Sequence, residues 1–159
     1  MTDLVAHMTF VVAEFDLDDL AEGQCFTFSE QLTAQAVDKF AELSGDVSPL
    51  HMDAEFAQSR GFERRVVHGA LLGGLVSRLV GVHCPGRNAL LQSMNLRFHN
   101  PAYAGDTVAV RGVVDQISVA TSTVVLKVMI ENSANGTILA QGKAHVGFTS
   151  GIGVHIEAP

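Results

Sequence analysis

An α+β fold, with one antiparallel sheet wrapped around a central buried helix, is what this sequence predicts. Three observations lead there. Residues 69–80 (GALLGGLVSRLV) are apolar nearly all round, the pattern of a helix buried on most sides. From Asn88 onward the apolar residues alternate with period two, over residues 90–100, 107–118, 122–132 and 137–148. The breaks between these runs are turn-like: Pro101 with Gly105-Asp106, then Asn135-Gly136, the strongest short hairpin signal. Short connections predict an antiparallel meander. A meander that follows one buried helix packs economically by curling around it, the architecture called the hot-dog fold.

The bulk properties agree with one domain. The chain has 159 residues, 47% of them hydrophobic, enough for a single core. Its formal net charge is −7, and the first Lys or Arg is Lys39. An acidic chain lacks the electrostatic footprint of a nucleic-acid binder. The missing early cations also speak against a signal or transit peptide. The longest apolar stretch, residues 66–82, contains His68 and Arg78, which argues against a membrane span. The expectation is a soluble cytoplasmic protein. Cys25 and Cys84, far apart and in no CxxC pattern, read as reduced thiols acting as small core residues.

The elements follow in order. Residues 1–22, with six acidic groups, read as an N-terminal extension, residues 23–150 as the single domain, and residues 151–159 as a C-terminal tail. Residues 24–29 (QCFTFS) have strand composition. A helix follows, with Thr33 as N-cap, an apolar stripe through Val37, Phe40 and Ala41, and Gly45 as its stop. Residues 45–51 (GDVSPLH) read as a loop, because Pro49 disfavours helix at Ser48. A second short helix is expected from an Asp53 cap to Gly61.

The chemistry concentrates between these helices. Asp46 and His51 stand five apart on a Pro-restricted loop, and a carboxylate and an imidazole around one water can polarise it and exchange protons. The same residues also suit a helix cap and a structural histidine. Gly69 opens the apolar helix, where free N–H groups and the positive end of the macrodipole can hold an oxyanion, or where a glycine serves close packing. His68 reads as a structural neighbour of the site. Gly69, Gly73 and Ser77 form a small-residue stripe at i, i+4 and i+8. Arg60, Arg64 and Arg65 are three of the ten basic residues within six positions, either phosphate contacts or a solvated loop. The seven histidines show no HxH or HExxH spacing, so no metal is expected.

The motif FAELSGDVSPLH (residues 40–51), continued by FERRVVHGALLGGLVS and by FHNPAYAGDTV (residues 98–108), resembles the MaoC-like, R-specific enoyl-CoA hydratases of hot-dog fold. The resemblance covers roughly residues 24–148. It implies a hydro-lyase that converts trans-2-enoyl-CoA and (3R)-3-hydroxyacyl-CoA into each other. Asp46 and His51 would act on the water, Gly69 would supply an oxyanion amide, and Ser48 and Ser77 would line the site. Coenzyme A would enter as the substrate's carrier, with no separate cofactor, and the sheets would pair into homodimers or multiples of them. Two alternatives share the fold: an acyl-CoA thioesterase, and a dehydratase of carrier-protein-bound or atypical thioesters. The chain departs from the family in having Ser48 where Asn is usual and Arg65 where Pro is common.

Overall fold

The computed structural model describes residues 10–149. The expected tail at 151–159, and residues 1–9 of the expected extension, lie outside them. Five antiparallel strands form one sheet: β1 (Cys25–Gln31), β2 (Ala89–Phe98), β3 (Thr107–Ser118), β4 (Thr123–Asn132) and β5 (Ile138–Phe148). Helices α1 (Ala34–Ser44), α2 (Pro49–Met52), α3 (Ala54–Ser59) and α4 (Gly69–Arg78) come between β1 and β2.

The strand order is β1-β3-β4-β5-β2, which corrects the simple meander. Strands β3, β4 and β5 do pair in sequence, but β2 pairs with β5 and not with β3. The reason lies in the connection between β2 and β3, which is no hairpin. It crosses from one side of the sheet to the other and finds partners on the way. Val67 N–H donates to Ala102 O (2.8 Å), Ala104 N–H to Arg65 O (3.0 Å) and Gly105 N–H to Leu32 O (2.6 Å).

The core lies between α4 and the concave face of the sheet. Val108, Val110 and Val114 of β3, Val124, Leu126 and Ile130 of β4, and Ala140, Ala144 and Val146 of β5 alternate inward. They meet Leu72, Val76, Leu79 and Val80, each almost fully buried. Side chains of this kind contribute about 1.5–3 kcal/mol each when removed from water. Gly112 of β3 lies directly under the helix, where an added Cβ would stand 2.6 Å from a Leu79 methyl carbon. Past Arg78 the helix widens into a π turn, Leu79–His83, closed by Cys84 N–H donating to Leu79 O (2.9 Å).

The helix is not buried all round. Ala70, Gly74 and Ser77 are exposed, because the sheet curls around one side and nothing else in the described chain covers the other. Leu90, Met94 and Phe98 of edge strand β2 are exposed as well. Residues 10–22 are laid against the domain. Ala13 N–H donates to Val82 O (2.8 Å), Phe15 N–H to Pro85 O (3.1 Å), and Leu20 is buried.

The two cysteines differ. Cys84 is buried as expected, and burial pushes its thiol up to about 12. Cys25 is exposed, a correction: the alternation of β1 turns Phe26 and Phe28 toward the core and Cys25 away. Among the described residues, no helix is long and apolar enough to cross a membrane.

Candidate active site

The caps on either side of Asp46 and His51 form as the sequence predicts. Thr33 Oγ1 accepts from Ala36 N–H (3.1 Å) to start α1. Gly45, in the left-handed region at φ 76°, ends it with an N–H bond to Ala41 O. Asp53 caps α3 by accepting from Glu55 and Phe56 N–H (2.9 and 3.0 Å). Between them lies a difference. Residues 49–52 form a single helical turn, because Pro at the first position of a helix loses no intrahelical bond. That turn sets the direction of His51.

The His51 ring is oriented by its own hydrogen bond. Nδ1 lies 2.7 Å from Val66 O. A carbonyl only accepts, so Nδ1 carries the hydrogen and Nε2 of the neutral ring keeps a lone pair. Nε2 stands 3.8 Å from Asp46 Oδ2, too far for a direct hydrogen bond. A water oxygen about 2.8 Å from each atom fits between them with an angle of about 85°. Asp46 is half exposed (52%) and His51 mostly covered (14%), so the pair sits at the mouth of a cleft.

The Asp46 carboxylate is held from its other oxygen. Oδ1 accepts from Ser48 N–H (3.2 Å), and Asp46 N–H donates to Ser44 Oγ (3.2 Å). The Ser48 hydroxyl makes no hydrogen bond among the described residues, so Ser48 serves the loop through its backbone. His68 completes the set. It is 1% exposed, and its Nε2 donates to Asp46 O (2.9 Å). Its ring stacks on His51 (3.9 Å between centroids) and leans on Phe40 (4.9 Å). Its Nδ1 is buried and has no partner among the described residues. The sequence offered only adjacency to Gly69 as a sign of this role. Asp46, His51 and His68 each bring one atom able to ligate a metal within 4.8 Å of the others, a cluster that sequence spacing does not reveal.

A cavity of about 350 Å³ opens beside His51, lined among others by Phe62, Val67, Gly69, Phe98 and Ala102. Gly69 is the first residue of α4, where an amide has no intrahelical acceptor, and it faces this space. A Cβ on Gly69 would stand 3.0 Å from the Phe98 ring, and one on Gly73 would stand 3.2 Å from Met94 Cε. The small-residue stripe therefore admits β2. Ser77 does not share the cavity. At 100° per residue, i+8 falls about 80° around the helix from Gly69, which carries Ser77 onto the exposed face.

The Arg cluster separates. Arg64 pairs with Asp106 (2.9 Å) and donates to Ala104 O, and Arg65 pairs with Asp38 and donates to His51 O. Arg60 stacks over Phe56 (4.9 Å) and has no ion pair among the described residues. A larger hollow, about 570 Å³, lies on the convex face of the sheet between Arg97, Arg111, Lys127 and Lys143. There Asp115 is held below the usual carboxylate range by hydrogen bonds from Lys127 and Lys143. No acid–base pair lines that hollow, so the smaller cavity is the candidate site.

A family model described as "MaoC like domain" matches residues 21–148. The (R)-specific enoyl-CoA hydratase of Rhodospirillum rubrum is 33% identical over 148 residues, 88% of this chain and 97% of that protein. Among solved structures, the unliganded R-hydratase of Pseudomonas aeruginosa superposes with a TM-score of 0.80 at 28% identity, covering 86% of this chain and 87% of that one. The (R)-hydratase of A. caviae superposes at 0.77 with 34% identity, covering 81% and 97%.

Proposed function

Because this chain belongs to the MaoC-like domain family, we propose that it adds water reversibly to trans-2-enoyl-CoA, giving (3R)-3-hydroxyacyl-CoA. One observation carries the reading. A tautomer-fixed His51 Nε2 and the Asp46 carboxylate face one water-sized gap, beside the amide end of α4. The thioester carbonyl accepts from the Gly69 N–H, which makes the β-carbon electrophilic. Asp46 and His51 hold and deprotonate the water that attacks it. The enolate rests on Gly69 until a proton reaches the α-carbon. No metal or redox group takes part, and the Asp46–His51–His68 cluster serves proton transfer. Of the three arginines, Arg60 is the one left for a coenzyme A phosphate. The reading places the enzyme in the cytoplasm.

Crotonyl-CoA tests it, followed by loss of enone absorbance and by chiral analysis of the product. The expected product is the (3R)-hydroxy thioester. Release of free coenzyme A without hydration would make the protein a thioesterase, and binding without turnover would remove it from the enzymes.

A homodimer or a multiple of it belongs to the same reading. The free edge of β2, its exposed Met94 and Phe98, and the exposed strip Ala70, Gly74 and Ser77 on α4 form an apolar surface that a second copy would cover. Light scattering at micromolar concentration is expected to give twice the chain mass or a multiple. A stable monomer would contradict this.

A further inference from the structure

We infer that Arg65 is a positioning residue for the reaction, holding His51 through its backbone and not through substrate phosphate; this rests on the hydration chemistry proposed above. The side chain is 18% exposed and fully engaged along one edge. Nε donates to His51 O at 2.5 Å, and Nη2 donates to Asp38 Oδ1 at 2.5 Å and lies 3.9 Å from Met52 Sδ. Arg65 is itself fixed by the strand-like pairing of its carbonyl with Ala104 N–H (3.0 Å). One guanidinium therefore joins α1, α2 and the β2–β3 connection.

The need for such a tie follows from the size of α2. Four residues make one turn, too short to persist without outside contacts. The carbonyls of its last residues have no intrahelical partner, and His51 O is one of them. Arg65 caps it. With the carbonyl held by Arg65 and Nδ1 held by Val66 O, the ring has one orientation toward Asp46. A phosphate clamp would need two adjacent N–H groups on one edge of the guanidinium. On the Nε–Nη2 edge both groups are already in use.

The two roles separate on substrates with and without a nucleotide. Arg65→Met keeps the apolar stem and removes every donor. It is expected to lower kcat by roughly 10- to 100-fold on crotonyl-CoA and equally on crotonyl-pantetheine, with KM within about threefold on both. Asp38→Asn, which leaves the bond to His51 in place, is expected to change kcat in the same direction by less. It keeps the test open if Arg65→Met does not fold. In the folded Arg65→Met protein, the ¹⁵N imidazole resonances of His51 are expected to shift or broaden, a readout that needs no turnover. A rise in KM confined to crotonyl-CoA would overturn the inference in favour of phosphate binding. A lower thermal midpoint with kcat and the His51 resonances unchanged would overturn it in favour of a purely structural tie. If the wild-type protein hydrates neither thioester, the proposed function fails on its own, and unmoved His51 resonances would then overturn the positioning role separately.

Discussion

Asp46→Asn is expected to fold normally and to hydrate crotonyl-CoA roughly 10²- to 10⁴-fold more slowly than the wild type, the usual weight of a placed acid–base group. The fold survives because the Asn carbonyl oxygen can still accept from Ser48 N–H, the one bond the carboxylate makes to the loop. The side chain is half exposed, so the loss of charge strands nothing in the core. The rate falls for two reasons. The amide cannot take a proton, and its N–H₂ stands where Oδ2 faces His51 Nε2. There it can donate to the lone pair that the mechanism needs free. The check is kcat beside the thermal midpoint. Activity within about threefold of wild type would remove Asp46 from the mechanism.

Gly142→Ala is expected to cost the most stability of any single methyl. A Cβ at Gly142 would stand 1.9 Å from Asn95 O and 2.9 Å from Asn95 C, both backbone atoms of β2. No rotamer relieves that contact, so β2 must move away from β5. Overpacking of this kind typically costs 1–3 kcal/mol and sometimes more, and the loss here is put at roughly 2–4 kcal/mol, or about 5–15 °C in thermal midpoint for a domain of this size. Since β2 carries Phe98, the wall of the cavity beside Gly69, activity should fall with stability. A midpoint within about 2 °C of wild type would show that the two strands yield freely.

Local features were readable in the sequence because local forces make them. The Thr33 and Asp53 caps, the Gly45 stop and the period-two strands depend on neighbours within a few positions. The site was half readable. Asp46 and His51 lie close in sequence and close in space, and Gly69 was placed by opening an apolar helix. What escaped depends on residues far apart in the chain. Nothing near Arg65 announces that Asp38 and His51 will be its partners, and the same holds for Arg64 and Asp106. The pairing of β2 with β5 is hidden because the 99–106 segment has the turn residues of a hairpin yet binds residues 65–67 and Leu32. The exposure of Ser77 and of Cys25 depends on which side the sheet curls. Composition carries no record of that choice.

The π turn at Leu79–His83 has a consequence for the spacing of the chain. An α-helix carried straight on through residues 79–84 would advance each side chain by 100°. The wide turn takes one more residue for the same rotation, with its bond closing from Cys84 back to Leu79. It acts as a phase slip. Leu79 and Val80 both stay against the sheet (0% and 2% exposed), and the chain leaves the helix pointing toward β2. The length of this segment is therefore a fitted quantity. Removing one residue, Gly81 for instance, would restore a regular helix and turn all that follows by about a quarter of a circle. Substitutions inside the turn can be absorbed by packing, whereas insertions and deletions there would misdirect β2 and, with it, the wall of the site.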